Sequence, residues 1–453
     1  YFKINERSDY FTYCVYNSIR FLKDSGFLTA ITSNAWLGKE YGFQFKKFLL
    51  DNFYIKYVVK SSAEHWFSDS QVSTIFVVLQ KVKNDEPTKF VTIDFKLDDY
   101  FSQENIDVQL SQIEDFYSEI DNCENPCNSK WEKDTTFKDL YKCTRTPISV
   151  CIVPKEKLIR SVEKSDNWSK YFISADLFDS FDNSLTQLYP RVIDVFRGER
   201  TGWNDMFVIP ERNVASSGIE SQYLIPYVKS PSEIEGIKFS GDYEFQLFVC
   251  ADNIEELPNG AKNWIRRFEY AQNTNGTKTI QEACSGHRPY WYSLRPKQAS
   301  IITAINPFER FFFTYSEEPF TIDQRLIAIR VNDDYEVELI TALLNSAITF
   351  LTIEMRGTSR NLGALDLNAN YLKQLRVLNP DLLSVEQKSA ILEAFQPLKN
   401  REIETISKET LKQDRINFDK TILRSFGIDE SLLENFYSLL VTSVNDRVMM
   451  KER

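Results

Sequence analysis

Two large aromatics stand where a soluble chain usually places polar residues. In EHWFSDSQVSTIFVVLQK (64–81), Trp66 and Phe67 occupy the tip of a turn, ahead of a Val-, Ile- and Phe-rich run from Val72 that reads as a buried strand. A ring left on such a loop has two uses. It plugs the end of the hairpin, or it offers a π face on which a planar ligand such as a nucleobase stacks. Further along, Arg200, Thr201, Trp203 and Asn204 share one polar stretch, Arg356, Ser359, Arg360 and Asn361 share another, and Arg288 precedes Tyr290-Trp291-Tyr292. Arg and Asn can grip a base edge through two groups at once, and Ser and Thr suit phosphate oxygens, so these are candidate DNA contacts. As loops they are also compatible with plain solvation; His287-Arg288 suit a backbone contact, and the Tyr290–Tyr292 rings suit a core position equally. Cys123, Cys127, Cys143 and Cys151 follow C-x3-C…C-x7-C, a poor spacing for zinc, and His65 and His287 are the chain's two histidines. No metal site is expected, and the thiols read as reduced.

The elements that must position these residues follow from periodicity. Residues 8–26 read as an amphipathic helix entering a turn at Gly26, 27–33 (FLTAITS) as a short apolar strand, and 42–53 as a second helix. Residues 55–61 and 72–82 read as strands joined by the loop that carries Phe67, and 89–95 as a strand leaving the domain. Helix, strand, helix and hairpin make the second half of an open doubly wound sheet, so an α/β domain is expected over 1–97. Residues 98–169, polar and mixed, are expected to form a helical linker. Residues 170–380 are β-rich and irregular, which suits an α+β domain, and 381–453 read as a helical tail with charged i,i+4 pairs.

At 453 residues the chain is long enough for two or three domains. A net charge of −11 argues against a general polyanion binder while leaving room for a local cationic cleft. Aromatics are abundant, with 34 Phe and 22 Tyr, whereas 14 glycines leave little scope for glycine-rich phosphate loops. No apolar run approaches the roughly 18 to 20 residues that span a bilayer, and no signal peptide opens the sequence, so a cytoplasmic chain with no membrane partner is expected. Tyr1 and its neighbours read like the middle of a domain, as in a piece of a longer or split protein.

The stretch SDYFTYCVYNSIRFLKDSGFLTAITSNAWL (8–37) resembles the γ-class amino-methyltransferases, DNA N6-adenine methylases that use S-adenosylmethionine. Asp9, Tyr10 and Phe11 take the places of that family's Asp/Asn-Leu-Tyr helix start. Leu22, Lys23 and Gly26 match its LK-x-GG, and Thr32, Asn34, Trp36 and Leu37 its T-x-N/S-x-W-L. Phe67 followed by Val72-Ser73 matches its aromatic loop and last strand. The resemblance implies half of a Rossmann-like methyltransferase sheet, Phe67 as the stacking surface for an extruded adenine, and Asp9, Tyr10 and Phe11 as one wall of the cofactor pocket. It also marks an absence: the chain has no Pro-Pro pair, hence no Asn-Pro-Pro-aromatic tetrapeptide, and no G-x-G. S-adenosylmethionine would then be bound only together with an N-terminal catalytic half. Cys14 departs from the family, which often has Phe there.

Later landmarks resemble the target-recognition half of type IIG restriction–modification methylases: VFRGERTGWNDMFVI (195–209), RPYWYSLRP (288–296) and the stretch 343–377 that includes YLKQL. That resemblance makes 170–380 a target-recognition domain and double-stranded DNA the partner. The expected function is part of a site-specific adenine-N6 methyltransferase in restriction–modification or phage defence. The alternative is a non-catalytic DNA-binding specificity subunit or a degenerate remnant.

Overall fold

A strand that is apolar on both faces needs cover on both, and YIKYVVKS is such a strand. In the computed structural model, which describes residues 6, 8–64, 66–67, 74–101, 105–124, 131–133, 139–144, 146–164, 166–172, 176–356 and 364–449, β2 (Tyr54–Ser61) divides its side chains between two cores. Ile55 and Val58 join one cluster with Trp36, Phe45, Leu49, Phe90 and Trp168. Tyr57 and Val59 join the other with Val91, Phe116, Trp131 and Val150. A register shift between Ile55 and Tyr57 lets one strand serve both faces.

The chain divides into two units, Tyr1–Asn183 with Ile353–Gly363 and Asn445–Arg453, and Ser184–Thr352 with Ala364–Val444. The first is built on a seven-stranded sheet: β1 (Phe27–Ser33), β2, β3 (Thr74–Gln80), β4 (Thr88–Ile93), β5 (Trp131–Lys133), β6 (Leu140–Cys143) and β7 (Ile148–Val153), in the order β1-β3-β2-β4-β7-β6-β5. Helices α1 (Tyr10–Ser18) and α2 (Glu40–Asn52) flank β1, with Phe45, Phe48 and Leu49 of α2 in the Trp36 core. Both β1 and β2 run antiparallel to β3, so they run parallel to each other, with α2 in the connection. Among the described residues β1 pairs with β3 alone and forms the sheet edge, with Phe27 and Ile31 exposed.

This sheet corrects two expectations. Strand 89–95 does not leave the domain: β4 pairs parallel to β2 and antiparallel to β7. Nor are 98–169 a helical linker. The helix Ile106–Asp121 is present, but β5, β6 and β7 extend the sheet, and Val150, Cys151 and Val153 are fully buried. Strands of three to six residues set among polar segments leave too short a pattern for periodicity to detect.

The second unit holds three antiparallel sheets. One has β9 (Ile193–Arg197), β13 (Ala299–Ala304), β14 (Thr314–Phe320) and β15 (Leu326–Val331) in the order β14-β13-β15-β9. Another has β10 (Val208–Pro210), β11 (Leu224–Tyr227) and β12 (Phe245–Phe248). The third pairs β8 (Leu185–Gln187) with β16 (Arg376–Leu378). The helices after Ser384 are not a detached tail. Phe395 and Phe418 meet at 5.3 Å between ring centroids, and Arg415 Nη1 donates to the buried Asn345 carbonyl at 2.6 Å. Their apolar stripes need a surface to bury against, and this unit supplies it. No single helix among the described residues is long and apolar enough to cross a membrane.

Candidate functional site

In an open α/β sheet, ligands bind beyond the carboxyl ends of the parallel strands. Register places those ends together here: Ser33 of β1 lies opposite Thr74, where β3 begins, and Ser61 of β2 lies beside Ile93 of β4. The loop bearing Phe67 leaves from this end, and so does the turn after β1. Ser33 caps that turn, its hydroxyl accepting from the Ala35 amide at 3.3 Å and donating to Asp9 Oδ2 at 3.2 Å. Tyr41 donates to the same Asp9 oxygen at 2.5 Å. Burial, then the bond to Asp9 and its charge, drive the Tyr41 phenol well above its usual range, so this hydroxyl stays a donor. Asp9 occupies the N-cap position of α1 without capping it, its carboxylate held instead by these two hydroxyls. Tyr10 is 90% exposed, while Phe11 packs edge-on to Phe45 at 5.7 Å. Neither Ser33 nor Tyr41 was singled out from the sequence. Ser33 had a signal in its place immediately before Asn34; Tyr41 had none.

The two loop aromatics take different roles. Trp66 is half-buried against the Tyr57–Phe116 core, its indole N–H buried without a hydrogen-bond partner among the described residues. Phe67 is 49% exposed. The base of the loop is pinned, because Ser61 Oγ accepts from the Ala63 and Glu64 amides at 3.2 and 3.1 Å and Glu64 accepts from the Leu97 amide at 2.9 Å. His65, Val72 and Ser73 lie outside the described residues. Trp36, fully buried, donates from Nε1 to Thr32 Oγ1 at 3.1 Å, which gives the Thr32-x3-Trp36 spacing a structural reason.

In the second unit, Arg200–Asn204 form a strapped loop. The Glu199 amide donates to the Ile322 carbonyl at 2.6 Å, and its carbonyl accepts from Gln324 at 3.0 Å. A Cβ on Gly198 would lie 2.1 Å from the Asp323 carbonyl oxygen, so only glycine permits this approach. Gly202 turns the loop with φ +73°, beside Cys284, whose thiol lies 3.7 Å from the Thr201 carbonyl. Thr201 is buried, donating to Asn204 Oδ1 at 2.6 Å, and Trp203 is half-buried in the Phe207–Phe248 core. Arg200 and Asn204 are exposed. The His287 segment closes on this loop: His287 stands edge-on to Phe207 at 5.4 Å, and Nδ1 is 2.9 Å from the Trp291 carbonyl. Next to it, exposed Arg288 donates from Nη1 to the Ser285 and His287 carbonyls at 2.7 and 2.6 Å. The fold therefore gathers Arg200, Asn204 and Arg288, and turns Thr201 and Trp203 inward. Tyr292 is core, stacked on Tyr290 at 5.1 Å and donating to the Asp252 carbonyl at 3.0 Å. The Arg356 side chain and Ser359, Arg360 and Asn361 lie outside the described residues. Among the described residues no group of His, Cys, Asp and Glu could hold a metal ion.

With this geometry in hand, comparison with known proteins places the start of the chain. Residues 1–67 match the Eco57I restriction-modification methylase family. The matched segment runs through α1, β1, α2 and β2 and ends on Phe67, in line with the resemblance carried by residues 8–37. Among solved structures, the chain is similar to the type IIG restriction endonuclease BpuSI, with TM-score 0.48 and 12% identity over 98% of this chain and 50% of that one. It is also similar to the type IIL restriction-modification enzyme MmeI in complex with DNA, with TM-score 0.45 and 10% identity over 92% of this chain and 50% of that one. The chain spans about half the length of each. No curated protein matches it.

Among the described residues of the matched segment, Asp9, Tyr10 and Phe11 do not by themselves make a cradle for S-adenosylmethionine. Asp9 already accepts two hydroxyls, Phe11 is packed on Phe45, and the sequence supplies no G-x-G turn at these strand ends. Among the described residues at this end, Tyr10 and Phe67 are exposed aromatics.

Proposed function

We propose that this chain is the carboxyl-side part of a cytoplasmic, site-specific DNA methyltransferase that acts on adenine N6 within double-stranded DNA, in restriction–modification or phage defence. The observation that carries the reading is the exposed Phe67, on a loop pinned at its base beyond the carboxyl ends of β1 and β2 and within the segment matching the methylase family. Chemistry on a paired base requires its extrusion, and an extruded adenine needs an aromatic face to rest on. Phe67 supplies that face. The open edge of β1, with exposed Phe27 and Ile31, would take the strands of an N-terminal catalytic half, which would also bring the S-adenosylmethionine site. The second unit reads the target through Arg200, Asn204 and Arg288.

The test is methylation of a duplex by the full-length protein with and without Phe67→Ala. Loss of about 1–3 kcal/mol of stacking should lower activity roughly 5- to 150-fold. Stability should change by less than about 0.5 kcal/mol, since a half-exposed ring is removed. Equal activity of the two proteins would reject stacking. Specific DNA binding with no methylation by the full-length protein would favour a specificity subunit instead.

A further inference from the structure

The residue before Arg197 carries two cations on one ring. Lys297 Nζ lies 5.3 Å, and the Arg330 guanidinium 5.5 Å, from the centroid of Phe196 on β9. Arg330 is fixed a second time, Nε and Nη2 donating to the Gln298 carbonyl at 3.3 and 3.2 Å. Arg197 follows, its Nε donating to the Gln324 carbonyl at 2.7 Å. All three cations are exposed, and among the described residues none is joined to a carboxylate. Some other exposed cations of this unit are paired with carboxylates: Arg191 with Asp381, Lys238 with Glu317, Arg424 with Glu430. The acid nearest in register is Asp194, opposite Arg330, and its Oδ1 accepts from the Val195 amide at 2.9 Å. In a chain of net charge −11 these cations gather beside β9, the edge strand that leads into the Arg200 loop.

We propose that Lys297 and Arg330, both set over Phe196, form a phosphate-contact strip for double-stranded DNA that extends the interface beyond the base-reading loop. The inference rests on the DNA-binding reading above. Cations already ordered over a ring lose less side-chain freedom on meeting a phosphate than free ones do. Cations that meet phosphates rather than base edges hold a duplex in register without discriminating bases. The strip was not singled out from the sequence, where Lys297 and Arg330 stand far from Phe196 along the chain.

The experiment measures the affinity of the full chain for labelled duplexes of differing sequence between about 50 and 200 mM KCl. The comparison is with Lys297→Gln/Arg330→Gln, and with Arg191→Gln as a control outside the strip. Loss of two phosphate contacts should reduce the slope of log affinity against log salt by about 1.8, equally for every sequence, with an unchanged melting temperature; Arg191→Gln should leave the slope as it was. A double variant that binds duplex with the original slope overturns the strip while leaving the DNA-binding reading intact. A parent chain that binds no duplex at any salt overturns both. Displacement of duplex by polyglutamate at equal charge would assign the strip to an acidic protein, and overturns it as well.

Discussion

Burial governs His287 more strongly than its polar neighbours do. Desolvation holds its imidazole below the ordinary value of 6.5, against the opposing pull of the Trp291 carbonyl, the Glu199 charge and the Arg200 backbone. As pH falls, the unfolded chain therefore takes up this proton before the folded one. The group's contribution to stability is complete above pH 6.5 and is lost as pH drops from there through the lower folded value. Urea midpoints measured between about pH 8 and pH 5 should fall more steeply for the parent than for His287→Gln, and the difference isolates this residue from the many carboxylates. Parallel curves would remove His287 as the cause. Because the same ring packs against Phe207 and the Arg200 loop, its protonation should also loosen the surface that holds Arg200 and Arg288.

At the scale of elements, the loop after β9 depends on backbone laid against backbone. Gly198→Ala would set a methyl 2.1 Å from the Asp323 carbonyl, so the strap formed by 198–199 and 322–324 must open. We expect a loss of about 1–3 kcal/mol in denaturant unfolding, together with weaker DNA binding. Gly286→Ala, where a Cβ meets nothing within 4 Å, should be silent in both assays. Element by element, the sequence was readable where patterns were long. Helix α1, β1, α2, β2 and β3 were all legible in it, because their apolar residues repeat over seven or more positions or are framed by turn signals. The short strands β5 to β7 were not. Strands of three to six residues carry too few alternations to announce themselves, and β7 is fixed by pairing with β4, far back along the chain.

At the scale of the molecule, the proposed function divides labour between the two units, and the division is measurable. Under that proposal Phe67, in the first unit, would serve any adenine, and Arg200, in the second, would read one base pair. In competition between duplexes differing at single positions, Arg200→Ala should relax discrimination at one position by about 1–3 kcal/mol. Phe67→Ala should lower methylation of every duplex by one common factor. If Arg200→Ala weakens all sequences alike, the arginine holds phosphate rather than a base edge.

The sequence alone determined the methylase-like start, through the spacing of Asp9 to Leu37, and it marked both the Phe67 loop and the Arg200 loop. Such features are local: chemistry at fixed offsets survives in one dimension. It did not determine which way each side chain faces. Trp66 and Phe67 are adjacent, yet one is packed and the other exposed, because only Trp66 meets the Tyr57–Phe116 core. Thr201 turned inward to Asn204 while Arg200 stayed out. Lys46 reads as a solvated helix charge but is fully buried, its ammonium donating to the Leu37 and Asp166 carbonyls at 2.8 and 2.7 Å. A polar group goes where its desolvation is offset by a partner, and partners drawn from distant segments exist only once the chain has folded.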